Sequence, residues 1–262
     1  MEEQRRNPQQ FLRTIHAQED RKKRGRLKIF FGYAAGVGKT YAMLKEARKA
    51  KKEGKDVVVG YVERHIRPDT LALLDGLEQI PCKEIVYKGV ALKEFDLDAA
   101  LVRKPQLILV DELAHSNAAG CRHAKRYQDV EELLRAGIDV YTTVNVQHLE
   151  SLNDLVASIT GIAVAERIPD RIFDSADQVK LVDIEPADLI VRLQAGKVYR
   201  EGQAQRALNN FFTEENLTAL REIALRRTAD RLNRTAQKTG NEAAARAGEH
   251  ILICLSSAPS NA

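Results

Sequence analysis

Leu27-Lys28-Ile29-Phe30-Phe31-Gly32-Tyr33-Ala34-Ala35-Gly36-Val37-Gly38-Lys39-Thr40 is the stretch that decides the fold. Residues 27–31 are apolar and β-prone, and they pass directly into a glycine-rich turn ending Gly-Lys-Thr. Ala42, Met43, Leu44 and Ala47 then recur at helical spacing. A strand, a glycine loop and a helix in that order let backbone N–H groups wrap around phosphates. The lysine neutralises their charge, and the threonine hydroxyl can ligate magnesium. Gly36, Val37, Gly38, Lys39 and Thr40 are therefore the expected phosphate-binding residues. One position departs from the usual spacing: Tyr33 stands five residues before Gly38, where a glycine is the rule, and the nearest glycine is Gly32. Either the loop is one residue longer or a tyrosine sits at its mouth.

The second half of such a site is expected at Leu107-Ile108-Leu109-Val110-Asp111-Glu112, an apolar run ending in two carboxylates. Such a run reads as a buried parallel strand, and ligands of open α/β sheets lie at the carboxyl ends of their strands. Asp111 is the expected magnesium residue beside Thr40, directly or through water, and Glu112 the expected general base for an attacking water. The competing view is a core strand that ends in a solvated acidic pair; the upstream loop argues against it. A third strand, over 138–144, is rich in β-branched residues and ends polar. Thr143, Asn145 and Gln147 are either neighbours of a γ-phosphate or ordinary strand-end polar residues.

Strands and helices alternate along the chain. Strands are expected at 27–31, 56–62, 84–87, 107–110 and 138–144, with edge strands at 162–166 and 179–182. Helices are expected over 39–52, 70–79, 97–103, 128–136 and 149–159. This order predicts an α/β, P-loop NTPase-like fold: a mostly parallel sheet with helices on both faces. After Pro186 the pattern turns helical, at 187–193, 201–212 and 217–234, which forms a C-terminal helical extension. Arg221, Arg226, Arg227, Arg231 and Arg234 on the last helix read as a solvated face or as a phosphate or partner contact. Residues 236–248 have linker composition, and 250–256 form a β-prone run with nothing after it to pack against. The chain thus reads as a fragment cut after the first strand of a further domain.

The 262 residues are 44% hydrophobic, enough for a core, and no window has the apolar length of a membrane span. No apolar stretch follows the first basic residues, which excludes a secretory signal. Three widely spaced cysteines suit a reducing compartment. Net charge is +4, yet residues 1–28 alone hold nine basic and four acidic residues. That arm is either a solvated tail or a contact for nucleic acid, an anionic membrane or an acidic partner. Its lack of interleaved aromatics makes nucleic acid the weaker choice. In the loop after the acidic strand, His115, Cys121 and His123 match no zinc spacing. Arg122, Lys125 and Arg126 there are expected as phosphate contacts or inter-subunit fingers.

Gly32 to Thr40, Asp111-Glu112-Leu113-Ala114-His115-Ser116-Asn117, and the stretch from Thr142 to Asp154 together resemble one family, as do Phe95 to Ala100 and Ala224 to Arg231. They resemble the cytoplasmic N-terminal region of bacterial KdpD-type osmosensitive potassium-channel sensor histidine kinases, over about residues 25–235. The resemblance implies a regulatory ATP-binding module of a two-component sensor, with ATP and Mg2+ as cofactors. Its implied site residues are Gly36, Val37, Gly38, Lys39, Thr40 and Asp111, with Thr40 and Asp111 at the metal and Glu112 where a hydrolytic glutamate would sit. The implied parent is a dimeric inner-membrane protein, with a stress-protein-like domain, membrane helices and a kinase core following this cytoplasmic region. A response regulator would be met only through that kinase core. The implied organisation is a basic arm at 1–25, a nucleotide-binding domain at 26–185, its helical extension at 186–235, and at 236–262 a linker with the first strand of the stress-protein-like domain. A free-standing P-loop ATPase or small-molecule kinase is the alternative, and a DNA-associated ATPase a third.

Overall fold

The computed structural model describes residues 24–63, 68–87, 89–195 and 211–239. Most of the basic arm, the expected helix over 201–212 apart from Phe211 and Phe212, and the expected strand over 250–256 lie outside them.

Six strands form one sheet: β1 (Leu27–Gly32), β2 (Val57–Tyr61), β3 (Glu78–Gln79), β6 (Leu107–Val110), β7 (Asp139–Asn145) and β8 (Gln178–Leu181). Their order is β3-β2-β6-β7-β1-β8, and every pairing is parallel. The central strands are buried on both faces, which is why they read as continuous apolar runs. Period-two alternation sorts their side chains between two layers. Phe30, Val57, Val59, Leu107 and Leu109 pack with Met43, Leu44 and Ala47 of helix α1 (Lys39–Lys52). Leu27, Ile29, Phe31, Ile108, Val110, Val140 and Val144 face the opposite layer. There lie α3 (Leu97–Arg103), α4 (Arg126–Arg135), α5 (Asn153–Thr160), α6 (Asp170–Asp174), α7 (Pro186–Gln194) and α8 (Glu214–Thr239). The α/β fold with helices on both faces and a C-terminal helix is thus present.

Several elements differ from the sequence expectation. Over 70–79 there is only the one-turn helix α2 (Pro68–Leu71), then turns, then edge strand β3. Leu73, Leu74 and Leu77 bond back three residues instead of four, and Arg48 takes the Asp75 carbonyl at 2.7 Å. Leu77 is therefore buried, and Leu73 and Leu74 partly so, by turns and not by a helix. The strand at 84–87 is half of an antiparallel hairpin, β4 (Lys83–Tyr87) with β5 (Val90–Glu94). No strand forms over 162–166. The Val164 carbonyl accepts from the Asn153 amide and that of Glu166 from the His148 ring, so side chains take bonds a neighbouring strand would need. Helix α4 starts at Arg126 because Gln128 Oε1 accepts from Lys125 N–H at 3.1 Å, which places Gln128 at the third helical position. Two 3-10 turns precede α5, which begins at Asn153.

Helix α8 continues to Thr239, past the expected end at 234, and absorbs the start of the linker-like stretch; Ala, Gln and Lys there are good helix formers. Leu217, Leu220 and Ala224 bury its inner stripe. Of its arginines, Arg226 and Arg234 are exposed, as a solvated face would have them, but Arg221, Arg227 and Arg231 are not. Arg227 stacks on Phe173 and reaches Asp174 at 2.6 Å, Arg231 donates to the Phe173 and Ala176 carbonyls, and Arg221 holds Asp183 at 2.7 Å. These contacts clamp α8 onto segment 170–185. Among the described residues no helix is long and apolar enough to cross a membrane.

Candidate functional site

The carboxyl ends of β6, β7 and β1 lie side by side, since β7 separates the other two. Gly32 ends β1 opposite Asn145 of β7. The loop beyond it turns through Gly36 and Gly38, at φ 88° and 106°, values an L side chain rarely adopts. Gly38 caps α1 with no side-chain hydrogen bond, and the first turn holds no acidic residue. The positive end of this helix is thus left to whatever occupies the loop.

Lys39 is buried, and its Nζ donates to the Ala34 carbonyl at 3.0 Å across the loop. Burial lowers its amine to about 8, although Asp111 and Glu112 pull it upward. Its stem explains Gly32: a Cβ there would come within 2.7 Å of Val37 Cγ2 and 3.1 Å of Lys39 Cδ. Tyr33 has an ordinary negative φ and needs no glycine. Its ring is fully buried and its hydroxyl donates to the Ile184 carbonyl at 3.1 Å, so it anchors the loop to the chain after β8 instead of narrowing the mouth.

Across the loop, Thr40 Oγ1 donates to Asp111 Oδ2 at 3.0 Å. The expected metal residues are therefore in contact, and an oxygen pair of this kind is what a hard divalent cation takes up alongside phosphate and water. Thr143 Oγ1 donates to Asp111 Oδ1 and accepts from Glu112 N–H at 3.2 Å. From β7 it thus holds the Asp111 carboxylate and the backbone of Glu112. Glu112 itself has φ 57°, the left-handed region in a non-glycine residue. Its side chain is 45% exposed, yet the partial loss of water around it, then the charges of Asp111 and Glu63, pushes its carboxyl up to about 7, against Arg126 and His115. The Oδ1 of Asn145 and the Oε1 of Gln147 are buried with no hydrogen-bond partner among the described residues.

The basic residues of the following loop are placed otherwise than expected. Arg126 is fully buried, stacked on the Tyr61 ring at 3.9 Å and paired with Glu94 at 3.2 Å. It cannot act as an inter-subunit finger. Arg122 is spent on Asp98 and Glu132, and Lys125 donates to Ser116 at 2.7 Å. His115 faces Glu94 and Glu166, whereas His123 faces Glu132. Burial raises the Glu94 carboxyl, but His115, the Ala118 N–H and Arg126 outweigh it and hold it below the usual range. Sequence reasoning gave no role to Glu94, Tyr61 or His148. His148 donates to the Glu166 carbonyl at 2.8 Å, and burial lowers its imidazole, with Lys39 acting in the same direction. No local pattern announces these three, because their partners lie 18 to 65 residues away in the chain.

Fold and site define a parallel α/β protein with a glycine-rich loop and a strand-end carboxylate meeting at the carboxyl edge of its sheet. Residues 23–232 match the family described as "KdpD: Osmosensitive K+ channel His kinase sensor domain", and the chain belongs to it. It is 58% identical over 260 residues to the sensor protein KdpD of Clostridium acetobutylicum, covering 98% of this chain and 29% of that protein. The sensor protein KdpD of Escherichia coli K12 is 58% identical over 236 residues, which is 88% of this chain and 26% of that protein. That of Mycobacterium tuberculosis H37Rv is 54% identical over 208 residues, 79% and 24% respectively. The chain thus spans less than a third of the length of these relatives.

Proposed function

We propose that the chain is a regulatory ATP-binding module of a potassium- or osmotic-stress-sensing histidine kinase. In this reading Mg-ATP lies with its phosphates on the loop from Gly36 to Thr40, and Thr40 and Asp111 serve the metal. The observation that carries the proposal is the buried Lys39 amine. A lysine with its charge disfavoured by burial, bonded among the described residues to one carbonyl beside a helix N-terminus that no side chain caps, suits a polyanion that would restore its charge. The cation would supply charge neutralisation; the chain's own groups bind and orient the phosphates. Calorimetric titration tests the reading: ATP should bind one site per chain only with Mg2+, and Lys39→Ala should abolish it while circular dichroism stays unchanged. Magnesium-independent binding, or full affinity in Lys39→Ala, would refute it.

A hydrolytic reading is favoured by the backbone of Glu112. In it Glu112 takes the proton of a water that attacks the γ-phosphorus as the bond to the β–γ bridging oxygen breaks, giving ADP and phosphate. Steady-state turnover insensitive to Glu112→Gln would remove that role. The family description, a His kinase sensor domain, and the greater length of the relatives support the rest of the proposal: a larger parent with a kinase core, held at the cytoplasmic face of a membrane, in which nucleotide occupancy here biases kinase against phosphatase activity.

A further inference from the structure

We infer that Arg126 is the positioning residue of Glu112, a buried cation of the same chain that fixes the peptide joining Asp111 to Glu112 from beneath. The inference rests on the nucleotide-site reading above. Arg126 opens α4, and its side chain runs back under the end of β6 with no solvent exposure. Its guanidinium lies 3.9 Å from the Tyr61 ring centre, a flat platform that fixes the plane of the fork. From that plane Nη2 reaches Glu94 at 3.2 Å, whereas Nη1 donates to the Asp111 carbonyl at 3.2 Å and lies 4.0 Å from Glu112 Oε2.

This division of donors is informative. A guanidinium kept only to satisfy Glu94 would place both ends of the fork on that carboxylate. Here one end is on Glu94 and the other on the peptide that turns left-handed at Glu112. That turn has a backbone cost for any residue but glycine, so the surroundings must enforce it. Its contacts include Glu112 N–H to Asp111 Oδ1 at 3.1 Å and to Thr143 Oγ1 at 3.2 Å, Leu113 N–H to the Thr143 carbonyl and His115 N–H to the Glu112 carbonyl, both at 3.0 Å, and Arg126 to the Asp111 carbonyl. The Tyr61 carbonyl of β2 also accepts from Asp111 N–H, at 2.9 Å, but Arg126 is the one side chain among these partners that comes from outside β6, β7 and the turn itself. It therefore ties the aim of Glu112 to α4 and, through Glu94, to the β4–β5 hairpin.

Arg126→Lys tests this, because it keeps a charge for Glu94 but lacks a planar fork to serve both partners. Expected is a kcat for Mg-ATP hydrolysis lower by about ten- to a hundredfold, with KM changed less than about threefold, since misplacement near the reacting atoms is felt in the chemical step. In the nucleotide-free chain the Glu112 and Leu113 amide resonances should move, and NMR couplings should report loss of the positive φ. A variant with wild-type kcat and unmoved amides would overturn the inference. If the variant does not fold, the wild-type chain decides: Arg126 Nη protons should exchange slowly and couple through the hydrogen bond to the Asp111 carbonyl carbon, and fast exchange with no such coupling would refute the contact. Moved amides in a chain that hydrolyses no ATP would uphold the positioning and remove only the hydrolytic reading of Glu112.

Discussion

Replacing Lys39 by methionine should stabilise the nucleotide-free protein at neutral pH. The amine falls from 10.5 to about 8 on folding, chiefly through burial. At pH 7 it is still charged in the folded state, so that displacement corresponds to a penalty of about 3 kcal/mol. Methionine keeps most of the stem and removes the charge. It also removes the 3.0 Å bond to the Ala34 carbonyl, a loss of about 1 kcal/mol. The variant should therefore be more stable by about 2 kcal/mol at pH 7. The sign then changes with pH. Between about 8 and 10.5 the unfolded chain holds more protons at this lysine than the folded chain does, so wild-type stability rises through that window. Above it the penalty is gone and the Ala34 bond remains, leaving the variant less stable by about 1 kcal/mol. Urea denaturation of both proteins between pH 7 and 10.5 reads the difference directly and cancels titrations common to both. A variant less stable than wild type at pH 7, or a pH-independent difference, would refute the reasoning.

Further outcomes follow from the same geometry. Gly32→Ala should cost about 1–3 kcal/mol, because the new Cβ displaces Val37 and the Lys39 stem; denaturant midpoints measure the cost, and ATP titration should show weaker binding. Tyr33→Phe should cost about 1 kcal/mol through the unpaired Ile184 carbonyl, with ATP affinity within about threefold of wild type; loss of affinity would return the tyrosine to the phosphate pocket. Arg227→Ala, which removes the Asp174 pair and the Phe173 stack, should destabilise by about 2–3 kcal/mol. Thermal unfolding would show it, and protease susceptibility of α8 should rise. Thr143→Ala removes the hydroxyl shared by the Asp111 carboxylate and the Glu112 N–H, so it should raise the Mg2+ concentration needed for ATP binding, read by calorimetry over a series of Mg2+ concentrations.

How much of this was legible depends on the range of the interactions. Strand β1, its loop and α1 are contiguous, so apolar periodicity and Gly-Lys-Thr define them locally. The pairing of Thr40 with Asp111 follows once both are assigned to strand ends on one sheet edge. The α8 arginines could not be read, because whether an arginine meets water or the Asp174 carboxylate depends on a segment more than fifty residues away. Arg126 was misread for the same reason: its basic neighbours Arg122 and Lys125 resemble a surface patch, and only Tyr61 and Glu94 turn it inward. The β4–β5 hairpin escaped notice in part because Val86 and Val90 stay 75% and 59% exposed, so no buried face imprints alternation on the sequence. Tyr33 looked anomalous only because a steric need was assigned to the wrong residue. The close approach is at Gly32.

The central claim is that phosphates, metal and the Lys39 amine meet between the Gly36–Thr40 loop and Asp111. A crystal structure of the chain with Mg2+ and a non-hydrolysable ATP analogue tests it most directly. The account predicts the Lys39 Nζ drawn off the Ala34 carbonyl onto a terminal phosphate oxygen, with the cation between Thr40 Oγ1 and Asp111. Nucleotide bound elsewhere, or bound with Lys39 still on Ala34 and Thr40 still on Asp111, would contradict it.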